Sequence, residues 1–358
     1  MKTPRPGVNR RDLLRLRPRR HGRAAGAGPE EVAGRSSLVR AHRPAMGSYF
    51  EVLLPAGTPG AVDLACRALD LIEALEAQLT VYRDDSEVSK LNATAHLGPV
   101  HVEKGLFGLL ETAVALSRET DGAYDVTSGA LSEAWGFVKG RKRVPDEATL
   151  SDARSRTGHA HLRLDPSSST VAFDREGVRI NLGSIGKGYA LDRAAGLLRD
   201  HWWPTSALVH GGRSSLFALG SPPGQLIGRW EVALRNPFVP ESPLGILRLR
   251  DRGLGTSGAA FQQFSIGGKT YGHIIDPRSG VPALGPASVT VVAPTAAMAD
   301  ALSTSFYLLG AEAAEAYTAN HPDVGVVIVL EGRCEQSPRV LVFGLSDRDF
   351  AAASNTVN

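Results

Sequence analysis

Two doubled glycines set between short apolar runs constrain this chain most. Gly267-Gly268 separates residues 261–266 from residues 269–275, and both glycines tolerate the positive φ that a two-residue hairpin turn demands. Gly211-Gly212 stands in the same way between the runs 207–210 and 215–219. Further short strands are predicted at 49–54, 161–164, 170–173, 178–182, 288–293, 324–330 and 340–343. Neighbouring strands joined by tight turns pair antiparallel, which argues against a strict βαβ alternation.

Helices are fewer. Residues 62–79 place Val62, Ala65, Leu69, Ile72, Leu75 and Leu79 at three- and four-residue spacings, the stripe of an amphipathic helix. Others are predicted over 104–118, from Gly183-Ser-Ile-Gly-Lys-Gly188 through Leu198, and from a Pro294-Thr295 cap to Gly310. The expected fold class is α+β, mostly antiparallel sheets with packed helices. With 42% hydrophobic and 22% charged residues, the chain has the composition of a soluble globular protein.

The net charge of +3 is concentrated at the start, where eleven Lys and Arg in the first forty residues face only Asp12, Glu30 and Glu31. The remainder is slightly acidic, which argues against a nucleic-acid partner. The reading is a disordered basic arm over 1–42, one domain over 43–345 and a C-terminal tail over 346–358. Val8-Asn-Arg-Arg-Asp-Leu-Leu-Arg15 looks like a twin-arginine export motif, but the basic run behind it is the reverse of an apolar core. Cytoplasmic residence is therefore expected, with export by a degenerate twin-arginine-like N-terminus as the alternative. No run approaches the roughly 20 apolar residues of a spanning helix. Cys66 and Cys334 lie far apart without CxxC or Cys/His spacing, so neither a zinc site nor a disulfide framework is expected.

Three motifs carry candidate chemistry. Gly183-Ser-Ile-Gly-Lys-Gly188 leaves a predicted strand and opens a helix, so its N–H groups and Lys187 suit a phosphate; a tight turn with a solvated lysine fits equally. It is neither a Walker A loop nor a G-x-G-x-x-G fingerprint. Asp300 and Thr304 lie four apart on one face of an apolar helix. A carboxylate there needs a partner, either a hard cation such as Mg²⁺ or a neighbouring backbone group or lysine. His273 follows a strand three residues before Asp276-Pro277, near the Gly253-Leu-Gly-Thr-Ser-Gly258 segment read as a glycine-flanked hydroxyl loop, and is a candidate general base.

From Arg43 to Phe343 the chain resembles the FAD:protein FMN transferase family, the ApbE-type flavin transferases. The resemblance is carried by Met46-Gly-Ser, Leu79-Thr-Val-Tyr-Arg-Asp-Asp-Ser-Glu-Val-Ser-Lys-Leu-Asn92, Thr120-Asp-Gly-Ala-Tyr-Asp-Val-Thr127, Asn181-Leu-Gly-Ser-Ile-Gly-Lys-Gly-Tyr-Ala-Leu-Asp192, Gly255-Thr-Ser-Gly258, His273-Ile-Ile-Asp-Pro-Arg-Ser-Gly280 and Ala299-Asp-Ala-Leu-Ser-Thr304. It implies a T-fold-like flavin transferase architecture. The implied activity is a Mg²⁺-dependent enzyme that attaches FMN from FAD to a Thr or Ser hydroxyl of an acceptor protein carrying a flavinylation motif, releasing AMP. An FAD pyrophosphatase and a non-catalytic FAD-binding protein are the alternatives.

By position, the resemblance implies that Met46 and Tyr82 contact the adenine end of FAD and that Ala123, Tyr124, Asp125 and Asn181 line the same cofactor. It implies that Lys187 holds phosphate, that Ile274 touches the flavin, and that Asp300, Thr304 and the carbonyl of Ser184 bind the metal. His273 matches the implied base. Asn181 stands where aspartate is usual, Gly186 where alanine is usual, and Arg213 where an aspartate usually follows two glycines.

Overall fold

The computed structural model describes residues 38–353 apart from 139, 202–205, 226, 259–262 and 333–337. The export-like motif, Cys334 and the beginning of the strand predicted at 261–266 lie outside the described residues.

β1 (Leu38–Ala45) and β2 (Ser48–Pro55) form a hairpin closed by Met46 and Gly47. There follow α1 (Ala61–Leu79), α2 (Glu87–Thr94), β3 (Val100–His101), α3 (Lys104–Glu119), α4 (Gly129–Ala134), α5 (Glu147–Ser155), β4 (Leu162–Asp165), β5 (Thr170–Phe173) and α6 (Gly186–Asp200). The second half comprises β6 (Ser206–Gly211), β7 (Ser215–Gly220), β8 (Trp230–Leu234), β9 (Gly245–Leu249), β10 (Arg252–Ser257), β11 (Gln263–Ile266), β12 (Lys269–Gly272) and β13 (Ser288–Ala293). It closes with α7 (Ala296–Asn320), β14 (Gly325–Leu330), β15 (Arg339–Phe343) and β16 (Phe350–Ala352).

Among the described residues, eight strands make one antiparallel sheet in the order β1-β2-β6-β7-β10-β13-β14-β15. Side chains alternate between its faces, and both faces are covered. Val289, Val291 and Val326 join the core with α1, α6 and α7, while Val292, Val327 and Val329 join a second core with Trp230, Leu247 and Phe350. Both-sided burial is why β14 is an unbroken apolar run and why every residue of β13, Ser288 and Thr290 included, is buried. Each fully buried Val contributes roughly 1.5–3 kcal/mol of transfer free energy. The Gly267-Gly268 hairpin forms as expected, with φ of 59° and 77° and Ile266 opposite Lys269.

The structure corrects several expectations. The fold begins by Leu38, inside the expected 1–42 arm, because Leu38 to His42 pair with β2. Within the expected tail 346–358, Phe350–Ala352 pairs with β9 and buries Phe350 in the second core. Residues 178–182 form no ladder: on one side they make only an isolated parallel bridge between Arg179 and Ser128, with Asn181 N donating to Val126 O at 2.7 Å. The Asn92 side chain pairs with Ile180, accepting from Ile180 N at 2.7 Å and donating to Ile180 O at 2.9 Å. The helix predicted to stop at Gly310 breaks there, at φ 82° and ψ −167°, but resumes to Asn320.

The Gly253 to Gly258 segment is also not a loop over its first five residues. It runs through β10, mid-sheet, and its glycines have a packing reason: a Cβ on Gly255 would lie 2.5 Å from both Ala299 C and Asp300 N. Strand and helix touch backbone to backbone.

Candidate active site

A cleft of about 870 Å³ opens beside the first turns of α7. Its walls are the β1–β2 turn, the chain after α1, the 123–128 loop, the start of α6, the β6–β7 turn, the end of β10 and residues 273–277. All of the residues singled out from the sequence line it: Met46, Tyr82, Ala123, Tyr124, Asp125, Asn181, Ser184, Lys187, His273, Ile274, Asp300 and Thr304.

At its floor Asp300 is almost wholly buried. Its Oδ1 accepts from Ser215 Oγ at 2.7 Å and its Oδ2 from Gly188 N at 2.8 Å. Lys187 Nζ donates to Ser214 Oγ at 2.6 Å, and Ser214 Oγ lies 3.3 Å from Ser215 Oγ. A chain of hydroxyls therefore links the lysine to the carboxylate. Burial pushes the Asp300 carboxyl up to about 6 even though the Lys187 charge, Ser215 and Gly188 oppose the rise. The approach of α6 to α7 depends on Gly188, since a Cβ there would sit 2.2 Å from Ala296 O. One turn along, Asp192 accepts from Ala296 N at 2.7 Å and Ala297 N at 2.9 Å, pinning the N-terminus of α7 to α6.

Thr304 Oγ1 lies 3.1 Å from Ser257 Oγ and donates to Asp300 O at 3.3 Å. The expected ligands Asp300, Thr304 and the Ser184 carbonyl, all on the cleft lining, would offer oxygens only. Among the described residues no group of three His, Cys, Asp or Glu side chains is placed to hold a metal. One carboxylate with neutral oxygens suits a hard cation that completes its shell with water and phosphate, as Mg²⁺ does. A carboxylate that burial leaves short of countercharge fits such an ion as well.

The remaining predicted residues divide by what their side chains already touch. Asp125 lines the cleft, but its carboxylate is occupied: Oδ1 accepts from Thr127 N and Oγ1 at 2.9 and 2.6 Å, Oδ2 from Ser117 Oγ and His159 N at 3.0 and 2.6 Å. It holds the wall's shape. Asn181 Oδ1 accepts from Gly183 N at 2.9 Å, the turn a carboxylate would make as well. Asp276, in the His273 motif, is turned away to Arg278, whose Nε and Nη2 donate to it at 2.9 and 2.8 Å. Met46 adopts φ 50°, a left-handed conformation costing a non-glycine residue roughly 1–2 kcal/mol, in the turn that reaches the cleft. Tyr82 is 63% exposed at the rim, and Ile274 is buried beside His273.

Sequence reasoning missed Ser214 and Ser215, although two adjacent serines opening a strand after Gly211-Gly212 were a signal. It also missed Arg235, which with Arg213 brings a guanidinium to the lining.

The sequence profile of the ApbE family matches residues 46–328. The FAD:protein FMN transferase of Treponema pallidum is 34% identical over 272 residues, covering 72% of this chain and 75% of that protein. The FAD:protein FMN transferase of Salmonella typhimurium is 28% identical, covering 85% and 89%. Among solved structures, the flavinyl transferase ApbE of Pseudomonas stutzeri superposes with a TM-score of 0.77 at 29% identity, covering 88% of this chain and 98% of that one. The ApbE protein of Thermotoga maritima gives 0.77 at 27% identity, covering 86% and 97%.

Proposed function

The chain belongs to the ApbE family, and from that premise we infer that it is an FAD:protein FMN transferase, an enzyme that moves FMN from FAD to a target protein. The observation that carries the reading is the floor of the cleft. There a lysine, a hydroxyl chain and a buried carboxylate face a threonine and the opening of a helix, the equipment needed to bind and polarise a pyrophosphate.

In the proposed reaction the acceptor is a Thr or Ser hydroxyl. Its oxygen attacks the phosphorus of the FMN half of FAD, the pyrophosphate P–O bond breaks, and AMP leaves. His273 takes the hydroxyl proton, because an imidazole is basic enough near neutrality and a neutral hydroxyl is a poor nucleophile. Lys187 neutralises phosphate charge. Asp300, Thr304 and the Ser184 carbonyl would hold Mg²⁺, which supplies charge neutralisation at the phosphoryl oxygens. Met46 and Tyr82 offer a thioether and an aromatic face for adenine, and Ile274 an apolar contact for the flavin. Ala123, Tyr124, Asp125 and Asn181 complete the cofactor wall. Little covalent help is needed, since positioning and electrostatics dominate phosphoryl transfer.

Incubation of the protein with FAD, Mg²⁺ and an acceptor carrying a flavinylation motif should add the mass of FMN to the acceptor, one AMP appearing per transfer. AMP and free FMN without acceptor modification would make the enzyme a pyrophosphatase instead.

A further inference from the structure

Arg213 and Arg235 line the cleft, and the reaction proposed above gives neither of them a part. Both are exposed, and among the described residues neither guanidinium makes a hydrogen bond or an ion pair. An unpaired arginine on open surface needs no explanation. Two on the lining of one cleft concentrate positive charge where a ligand must pass. Elsewhere in the fold arginines find acids: Arg43 pairs with Asp70 and Glu73 at 2.7 and 2.8 Å, and Arg278 with Asp276 at 2.8 Å.

The neighbours of each arginine hold its backbone in place. Gly212 N donates to Tyr49 O at 2.5 Å, and a Cβ on Gly212 would sit 2.2 Å from Ser48 Oγ, so the β6–β7 turn is seated against the β1–β2 hairpin. On the other side of Arg213, Ser214 O accepts from Thr256 N at 2.7 Å. Arg235 stands between Leu234 and Asn236, both buried. Leu234 O accepts from Leu244 N at 2.9 Å, and Asn236 Oδ1 from Phe238 N at 3.0 Å. Each side chain therefore extends from a fixed base, so binding a ligand costs no backbone ordering there.

The acids of the lining do not call for these two cations. Asp125 is saturated by its four donors, Asp300 faces the Lys187 charge, and Glu76 lies within electrostatic reach of Arg83. Nor does FAD call for them. Its negative charge is confined to the pyrophosphate, which the floor serves with Lys187 and the opening of α6, while its adenine, ribityl chain and flavin ring are neutral. The other substrate is the segment of acceptor protein that must enter the cleft to bring a hydroxyl to His273. We propose that Arg213 and Arg235 bind a carboxylate side chain of that segment, near the hydroxyl that receives FMN, which makes them specificity-determining residues of the transfer. The proposal rests on the transferase reading above. A guanidinium matches a carboxylate with paired N–H donors, and the pair strengthens as the occupied cleft sheds water.

The test uses an acceptor carrying a flavinylation motif in two forms, one with aspartates flanking the motif and one with asparagines in their place. FMN transfer is read by mass spectrometry at saturating FAD and Mg²⁺. The wild-type KM for the aspartate form should be about five- to thirtyfold lower than for the asparagine form, the worth of a partly desolvated ion pair. In Arg213→Gln and Arg235→Gln that preference should shrink through a higher KM for the aspartate form alone, with kcat at saturating acceptor kept. FAD affinity, read by flavin fluorescence, should stay at the wild-type value. The proposal is overturned by wild-type KM values within about twofold for the two forms, or by variants that raise both KM values equally. A loss of FAD affinity in the variants would also overturn it, because the guanidinium would then hold the nucleotide. Wild-type protein that releases AMP and FMN but modifies neither form would overturn the transferase reading itself and the proposal with it.

Discussion

Gly255→Ala tests whether the backbone contact between β10 and α7 sets the position of Asp300. The added Cβ would lie 2.5 Å from Ala299 C and Asp300 N and 2.7 Å from Ala299 O, where ordinary contact begins at 3.4 Å. Strand and helix must therefore separate by about 0.9 Å (3.4 minus 2.5). Overpacking of this kind costs about 1–3 kcal/mol. The same shift carries the carboxylate away from Gly188 N, now at 2.8 Å, and weakens a hydrogen bond to a charged group worth about 1.5–3 kcal/mol. Together these reach roughly 2.5–6 kcal/mol, against a total stability of about 5–15 kcal/mol. At about 2–4 °C per kcal/mol, the melting temperature should drop by roughly 5–24 °C. Circular dichroism melts and a Mg²⁺ titration of AMP release would read the two effects, and the Mg²⁺ midpoint should move to higher concentration. Gly196→Ala is the control: nothing lies within 4 Å of its Cβ, so alanine there should stabilise α6 by up to about 1 kcal/mol. A Gly255→Ala protein that melts within about 2 °C of wild type, with an unchanged Mg²⁺ midpoint, would refute the packing argument.

Further outcomes follow from the same geometry. Asp300→Asn should abolish AMP release at millimolar Mg²⁺, and near wild-type turnover would leave the residue a purely structural acceptor. His273→Ala should slow transfer by roughly 10²–10⁴-fold with FAD affinity nearly unchanged; an equally steep loss of FAD binding would mean that the imidazole holds the nucleotide. Burial raises the Asp192 carboxyl to about 7 against the pull of the Ala296 and Ala297 amides. The folded state then keeps a proton that the unfolded chain releases near pH 4, so stability falls as pH rises from about 4 to about 7. Asp192→Asn should flatten that slope in thermal melts between pH 5 and pH 8 while costing about 1–3 kcal/mol through the amide left poorly paired; a slope identical to wild type would contradict the assignment.

Features written in short-range patterns were legible in the sequence. The α1 stripe and the Gly267-Gly268 turn needed only neighbours a few residues away. The site was legible because its residues lie in compact motifs, so His273, Lys187, Asp300 and their companions could be named without knowing how the segments meet. What failed depended on distant partners. The glycines of β10 look like a loop until the backbone of α7, more than forty residues on, is seen to require them. Residues 178–182 read as a strand because nothing local discloses that Asn92 would pair with them. Likewise, three residues in β16 are too few to show a period.

The pairing of β16 with β9 bears on how the chain is made. β9 leaves the ribosome about a hundred residues before Phe350, which then settles opposite Leu247 and covers the same apolar face as Trp230 and Leu249. Until Phe350 to Ala352 emerge, the outer edge of β9 stands open, an adhesive edge of the sort that invites pairing with other chains. Replacing Phe350 to Ala352, none of which lines the cleft, with Gly-Ser-Gly should therefore lower soluble yield more than the intrinsic turnover of whatever folds. A tag joined at the C-terminus would need a spacer that lets Phe350 to Ala352 reach their places.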